Sequence, residues 1–174
     1  MDKLKVGDKA PELVGHSINM GSFKLSDLKG KEKVFLVFSR YFGCSLCQID
    51  FKELLENANK IQKHGKIVYI NQSGEETTRK FIENKNVSFP IILNPKEPYP
   101  LYKAYGIGDC TEDVIPKIRE RAMKAREQGI QHGAYEGNEQ QCPANFIVSK
   151  DGKIEYANYG ALDLNEAMKL WVKK

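Results

Sequence analysis

The sequence predicts an α/β fold in which a central mixed sheet is flanked by helices, and three observations support this. The run Lys33–Ser39, KVFLVFS, is continuously apolar, as in a strand buried on both faces of a sheet. Apolar residues then recur at three- and four-residue spacing from Cys47 to Ile61, which is typical of an amphipathic helix. A second apolar run, Lys66–Ile70, follows Gly65, and this strand-helix-strand order implies parallel strands.

Turn and capping residues place the neighbouring elements. Residues 10–33 contain short apolar pieces interrupted by glycines, which predicts an N-terminal β-hairpin. Ser73 and Glu76 have the spacing of a capping box, and we expect a helix from there to about Asn84. A short strand, FPIIL, and one or two helical turns, YPLYKAYG, follow.

The second half of the chain begins with a weaker pattern. Residues 108–135 contain one helical stretch that ends at Gly129, which we interpret as a helical insert. Asp151-Gly152 lies between two apolar runs and predicts a hairpin turn. Asp163 begins a capping box for a closing helix. We expect a single domain over residues 1–174.

Composition limits the classes of function. The 174 residues include 27 lysines and arginines against 23 acidic residues, and no basic stripe predicts nucleic-acid binding. No stretch has the roughly eighteen apolar residues of a membrane span, and the first residues lack the apolar core of a secretion signal, so we expect a cytoplasmic protein without membrane contact. Four cysteines are too few for a disulfide framework.

Two of these cysteines, Cys44 and Cys47, are three residues apart where the buried strand gives way to the helix. Unpaired N–H groups and the helix dipole favour an anion at Cys44, and Arg40 adds positive charge. We therefore expect Cys44 to be an exposed, nucleophilic thiolate. Cys47 lies one turn further on the same face, about 5 to 6 Å away between Cβ atoms, so the two thiols can form a disulfide.

Other interpretations of the cysteines remain open at this point. A CxxC pair is also half of a zinc site, and Cys110, Cys142 or His132 could complete it. The alternative function is therefore a metal-binding module that holds zinc or an iron-sulfur cluster through Cys44, Cys47 and Cys142. Otherwise Cys110 is interpreted as a passive loop thiol.

Three segments carry a resemblance to a known family. Residues 10–31, residues 34–47 and residues 141–154 together resemble the thioredoxin-fold peroxiredoxin-like proteins of the alkyl hydroperoxide reductase and thiol-specific antioxidant group. The stretch RYFGCSLC is similar to the branch of that group that carries CxxC. The resemblance spans nearly the whole chain except the insert, and it implies a thioredoxin-like fold.

The resemblance also implies roles for individual residues. Cys44 matches the reactive cysteine, Cys47 matches its partner, and Arg40 completes the catalytic set. Pro143 matches the cis-proline of the fold, so that Cys142 and Pro143 would face the Cys44 thiol. Substrate contacts are expected from the loop and from the facing segment: Tyr41, Phe42, Gly43, Cys142 and Pro143.

The function implied is a thiol-dependent antioxidant oxidoreductase without a cofactor. Its dithiol would reduce either hydroperoxides or disulfides through an internal disulfide, and a thioredoxin-like protein or a small thiol would restore it. Typical peroxiredoxins have a proline seven residues before the reactive cysteine and a threonine or serine three before it. This chain has Val37 and Tyr41 there, so both substrate classes stay open.

Overall fold

The computed structural model describes residues 2–173, which form one seven-stranded sheet with helices on both sides. The strands are β1 (Val14–Ser17), β2 (Gly21–Lys24), β3 (Val34–Phe38), β4 (Lys66–Asn71), β5 (Ile91–Leu93), β6 (Ala144–Val148) and β7 (Ile154–Tyr159). The helices are α1 (Ser45–Ile61), α2 (Glu75–Ile82), α3 (Pro100–Ala104), α4 (Ile115–Glu127) and α5 (Leu164–Trp171), and Leu25–Leu28 form a short 3-10 helix.

The strand order in the sheet is β2-β1-β5-β4-β3-β6-β7. Strands β3, β4 and β5 are parallel, whereas β6, β7 and the β1-β2 hairpin pair antiparallel. The predicted mixed sheet is confirmed, and so are the N-terminal hairpin and the hairpin that turns at Asp151-Gly152. None of the helices within residues 2–173 is long and apolar enough to cross a membrane.

Strand β3 lies at the centre of the core, and all five of its residues are buried. Its side chains alternate between two apolar layers, as the pleat of a strand requires. Phe38 packs with Tyr102 of α3 and Phe146 of β6 on one side, and Phe35 packs with Trp171 of α5 on the other. Burial on both faces of the sheet explains why this run of the sequence is continuously apolar.

The two predicted capping boxes have different outcomes. Asp163 caps α5, because its side chain accepts a hydrogen bond from the N–H of Glu166. The Ser73 prediction is wrong, because α2 begins after Gly74 and the Ser73 hydroxyl accepts a hydrogen bond from the N–H of Phe42 at 2.8 Å. Ser73 thus holds the loop between β3 and α1 instead of capping a helix.

The predicted insert contains α4, which packs against α1 through a buried ion pair. Arg121 of α4 contacts the carboxylate of Asp50 on α1, and also Glu53 at 2.9 Å. Burial raises the pKa of Asp50 to about 7, although the Arg121 guanidinium opposes this rise. The pair therefore fixes α4 beside the first turns of α1, where the two cysteines lie.

We expect Arg121→Leu to destabilise the protein by about 3–5 kcal/mol, because it leaves a buried carboxylate without its partner. The loss depends on pH. Without the guanidinium the folded-state pKa of Asp50 rises further above its unfolded value of about 4, so stability falls as pH rises from about 4 through that folded value. Chemical denaturation of both proteins at pH 4.5 and pH 8 measures the difference.

The matched control is the double variant Asp50→Leu/Arg121→Leu. It removes both charges, so most of the stability lost in the single variant should return. A single variant that loses less than about 1 kcal/mol, or loses the same amount at both pH values, would contradict the proposed role of the pair.

Candidate active site

The two cysteines lie where the chain leaves β3 and enters α1. Cys44 is the N-cap residue of α1, and its N–H donates a hydrogen bond to the carbonyl of Tyr41 at 3.1 Å. Cys47 follows in the first turn of the helix and is almost fully buried. The predicted strand-to-helix junction is confirmed, and the structure places both cysteines at the N-terminus of α1.

The two thiols differ strongly in acidity. A hydrogen bond from the Cys47 thiol lowers the pKa of Cys44 to about 6, and backbone N–H groups and Arg40 assist against the opposing effect of burial. Burial raises the pKa of Cys47 far above its ordinary value. Cys44 is therefore the thiolate at neutral pH, and Cys47 is a neutral thiol that donates a hydrogen bond to it.

Arg40 is fixed beside the thiols and is not a solvated residue. Its Nε donates to the carbonyl of Gln141 at 2.7 Å, which orients the guanidinium. One terminal nitrogen then lies 3.9 Å from the Sγ of Cys44, and the other lies 3.4 Å from the Sγ of Cys110. Its backbone N–H contacts the Sγ of Cys47 at 3.3 Å. Arg40 thus contacts three of the four sulfur atoms.

A segment that we call the strap, residues 130–139, covers the site. The N–H of Gly133 donates to the carbonyl of Gly43 at 2.8 Å, and Gln48 donates to the carbonyl of Gln131. Cys44 itself is only 5% exposed, and it lies in a buried cluster with Ile118 of α4 and with Ala161. The expectation of an exposed Cys44 is therefore wrong, because α4 of the insert packs against the start of α1.

The strap is also attached to the loop between β4 and α2. The carboxylate of Glu136 accepts a hydrogen bond from the N–H of Gly74, at the N-terminus of α2, where a negative charge is favoured. Gln72 accepts from the N–H of Asn138. Between them, Gly137 has a φ of +61°, and a Cβ there would lie 2.5 Å from Gln72, so only glycine fits.

The three loop residues predicted to contact substrate occupy different surroundings. Tyr41 is buried with the thiols, and its hydroxyl contacts His132 and Glu139 of the strap at 3.3 and 3.5 Å. Gly43 lies directly beneath the strap. The ring of Phe42 instead packs against the Phe81 ring in the core, with 4.4 Å between ring centroids. The structure thus brings Tyr41 and Gly43, but not the Phe42 ring, to the thiols.

The segment that contains Cys142 and Pro143 differs from its prediction. Within residues 2–173 the cis peptide bond is at Glu97-Pro98, so the predicted cis bond at Pro143 is wrong. Hydrogen bonds from the N–H of Cys142 to Gly108 and from Gly160 to the carbonyl of Pro143 continue the sheet pairing through this segment. A regular trans backbone satisfies both bonds. Cys142 lies against Cys110 and not directly against Cys44.

Sequence reasoning missed the position of Cys110 and the strap residues. Cys110 contacts Arg40, so the structure places beside the site a thiol that the sequence analysis interpreted as a passive loop residue. Residues 130–141, which follow the helical stretch of the insert, lack periodicity, and nothing in their sequence signals which part of the fold they cover. No group of three or more histidine, cysteine or acidic side chains within residues 2–173 is arranged to hold a metal ion, so the predicted metal module has no site there.

Comparison with known proteins agrees with this geometry. The model of the AhpC/TSA family matches residues 6–157. The chain belongs to the AhpC/TSA family. It is also 31% identical over 144 residues to a prostamide/prostaglandin F synthase from Salmo salar, a match that covers 79% of this chain and 70% of the relative. Membership of the family and the paired thiols make this chain a thiol-dependent oxidoreductase.

Solved structures support the fold. A peroxiredoxin-like protein from Aquifex aeolicus superimposes with a TM-score of 0.69 at 15% identity, covering 98% of this chain and 88% of that one. A DsbF homologue from Corynebacterium diphtheriae gives 0.63 at 14% identity, covering 94% and 85%. The predicted thioredoxin-like fold and peroxiredoxin-like family are both confirmed.

We expect Gly43→Ala to expose Cys44. A Cβ at this position would lie 2.1 Å from the carbonyl oxygen of Ala134, so the strap could not close fully. Alkylation of Cys44 by iodoacetamide under native conditions should be about tenfold faster, which corresponds to about 1.4 kcal/mol against the closed strap. Gly108→Ala is the control, because a Cβ there meets no atom within 4 Å. Equal labelling rates in all three proteins would show that the strap does not limit access.

We expect the alkylation rate of Cys44 to fall as pH drops through about 6, because the thiolate is the reactive form. Arg40→Met should move the midpoint of this curve up by about one pH unit or more, since it removes a cation facing the thiolate. Mass mapping separates Cys44 from the other cysteines. Arg79→Met, which removes an exposed arginine on α2, should leave the midpoint unchanged. An unchanged midpoint in Arg40→Met would show that the guanidinium does not lower the pKa of Cys44.

Proposed function

We propose that the protein reduces small hydroperoxides, with Cys44 as the attacking thiolate and Cys47 as the thiol that resolves it. The observation that carries this proposal is the geometry around Cys44. Its sulfur lies at the N-terminus of α1 with a neutral partner thiol behind it and the Arg40 guanidinium 3.9 Å away. The arrangement supplies a nucleophile, a resolving group and a cation.

The reaction proceeds in two steps. The Cys44 thiolate attacks one peroxide oxygen, the O–O bond breaks, and the alkoxide leaves and takes up a proton as an alcohol. Arg40 faces the oxygen atoms on which negative charge develops. Cys47 then attacks the resulting sulfenic acid, the S–O bond breaks, and water leaves with the Cys47 proton. The product is an internal Cys44–Cys47 disulfide.

Burial of Cys44 favours a small oxidant over a protein disulfide. With the strap closed, the thiol is 5% exposed, and a folded protein could not bring its disulfide sulfur into line with it. Tyr41 stands where typical peroxiredoxins carry a small hydroxyl residue, and its hydroxyl contacts the strap instead. In this proposal Arg40 therefore supplies the donors that orient the peroxide.

A lipid-derived peroxide is a second candidate substrate. It is favoured by the 31% identity to the protein named prostamide/prostaglandin F synthase, whose products are lipids. The same two-electron cleavage of an O–O bond would apply, but an apolar substrate of that size requires an open strap. Comparison of hydrogen peroxide with cumene hydroperoxide, a bulky organic probe, distinguishes the two candidates.

The disulfide must be reduced to complete the cycle. We assign this step to two thiol groups of a thioredoxin-like protein or a small thiol, and each cycle oxidises them to a disulfide. We also propose a cytoplasmic location, which is supported by the few cysteines and by the need for thiol reductants.

The proposal is tested by anaerobic titration of the reduced protein with hydrogen peroxide, followed by mass mapping of the cysteines. One equivalent should be consumed and should yield the Cys44–Cys47 disulfide as the first product. Cys44→Ser should lose the fast consumption by at least about 100-fold, because no ionised thiol remains at the N-terminus of α1. The double variant Cys47→Ser/Cys110→Ser, which lacks both thiols next to the site of attack, should accumulate a Cys44 sulfenic acid that dimedone traps.

Two outcomes would reject this function. Peroxide consumption that persists in Cys44→Ser would place the reactive thiol elsewhere. Failure of the native protein to consume peroxide, combined with rapid reaction with glutathione disulfide, would assign it disulfide exchange instead.

A further inference from the structure

Cys110 and Cys142 form a second cysteine pair next to the first. A short antiparallel bridge between Asp109 and Gln141 aligns the two segments. The N–H of Cys110 donates to the carbonyl of Gln140 at 2.8 Å, and that of Cys142 donates to Gly108 at 2.9 Å. Both cysteines therefore lie on the same face of this bridge.

Their spacing is close to that of a disulfide. Cys110 is opposite Gln140, so Cys142 is its diagonal neighbour, at about 7–8 Å between Cα atoms in regular pairing. A disulfide requires roughly 4.4–6.8 Å. The Cys110 thiol contacts the carbonyl of Gln141, the residue next to Cys142, at 3.7 Å, so a shift of about 1 Å in these segments permits a bond.

Arg40 connects this pair to the first one. The two terminal nitrogens of its guanidinium lie 3.9 Å from the Sγ of Cys44 and 3.4 Å from the Sγ of Cys110. Cys110 also packs against the apolar cluster that contains Cys44 and Cys47, and against the separate core cluster that contains Cys142. Arg40 therefore contacts one thiol of each pair, and Cys110 is the member of the second pair that lies next to the first.

The acidities of the second pair repeat those of the first. The Cys142 thiol, assisted by Arg40, lowers the pKa of Cys110 to about 6 despite its burial. The hydrogen bond to Cys110, together with burial, raises the pKa of Cys142. Each pair thus has one thiolate beside Arg40 and one neutral thiol next to that thiolate.

We propose that Cys110 and Cys142 are a second redox pair, which takes over the disulfide from Cys44 and Cys47 and presents it to the external reductant. This inference rests on the proposed function for the origin of the first disulfide. It explains how a bulky reductant can restore buried thiols, because Cys47 is 1% exposed whereas Cys110 is half-buried and lies outside the strap.

The transfer consists of two successive thiol–disulfide exchange reactions. The Cys110 thiolate attacks the Cys44 sulfur, a Cys44–Cys110 bond forms, and Cys47 leaves as a thiolate. Cys142, after losing its proton to Cys47, attacks the Cys110 sulfur and expels the Cys44 thiolate. The first pair is now reduced and the second pair oxidised. Two external thiols then reduce the Cys110–Cys142 disulfide and become a disulfide themselves.

The contact between the pairs is tested without peroxide. In the double variant Cys47→Ser/Cys142→Ser only Cys44 and Cys110 remain, and one equivalent of diamide, a two-electron dithiol oxidant, should link them within one molecule. The matched control Cys44→Ser/Cys110→Ser keeps the other two thiols and should give no intramolecular link. Absence of the Cys44–Cys110 link, or equal linking in both variants, would overturn the proposal.

The direction of transfer is tested with the native protein. After one equivalent of hydrogen peroxide, samples are quenched with acid at increasing times and mapped by mass spectrometry. The Cys44–Cys47 disulfide should appear first and decay into Cys110–Cys142. Cys110→Ser should stop at the first disulfide, and its turnover with a thioredoxin-type reductant should be at least about tenfold slower. If it fails to fold, Cys142→Ala serves instead.

The outcomes separate the two proposals. If peroxide leaves all four thiols reduced, the proposed function fails, and the diamide experiment alone decides the transfer. If the first disulfide forms but never moves to Cys110 and Cys142, the proposed function holds and the second pair is not part of the cycle.

Discussion

The stabilised thiolate of Cys44 is the interaction on which the rest of the site depends. Burial disfavours a negative charge on the Cys44 sulfur. The anion forms because several donors face it: the Cys47 thiol, N–H groups at the start of α1, and Arg40. These donors are placed by the fold itself. Strand β3 must end at Phe38, and α1 must begin at Ser45, for the same sulfur to meet all of them.

Burial and ionisation are compatible here because the donors are fixed before any substrate arrives. The packing of Cys44 with Cys47, Ile118 and Ala161 keeps bulk water from the sulfur, which strengthens each hydrogen bond to it. The anchors of the strap lie in two loops, at Gly43 before α1 and at Gln72 and Gly74 between β4 and α2.

The sequence alone was sufficient to predict the elements that carry periodic patterns and the thiol pair between β3 and α1. The apolar run of β3 and the spacing after Cys47 determine the junction directly. The exposure of Cys44 and the partner of Cys142 could not be predicted, because both depend on how α4 and the irregular residues on either side of it pack against the sheet and α1. The error at Ser73 has a local cause, because the N–H of Phe42 uses the hydroxyl that a capping box would have used.

The sharing of Arg40 between Cys44 and Cys110 sets a limit on charge. One guanidinium can neutralise one sulfur anion, so ionisation of either thiol makes ionisation of the other more costly. Because both thiols have a pKa of about 6, each carries much of its negative charge at neutral pH, and the single guanidinium faces both anions. When one of these two thiols is oxidised, the guanidinium of Arg40 faces only the other thiolate. The pairing of Arg40 therefore changes with the oxidation state of the site.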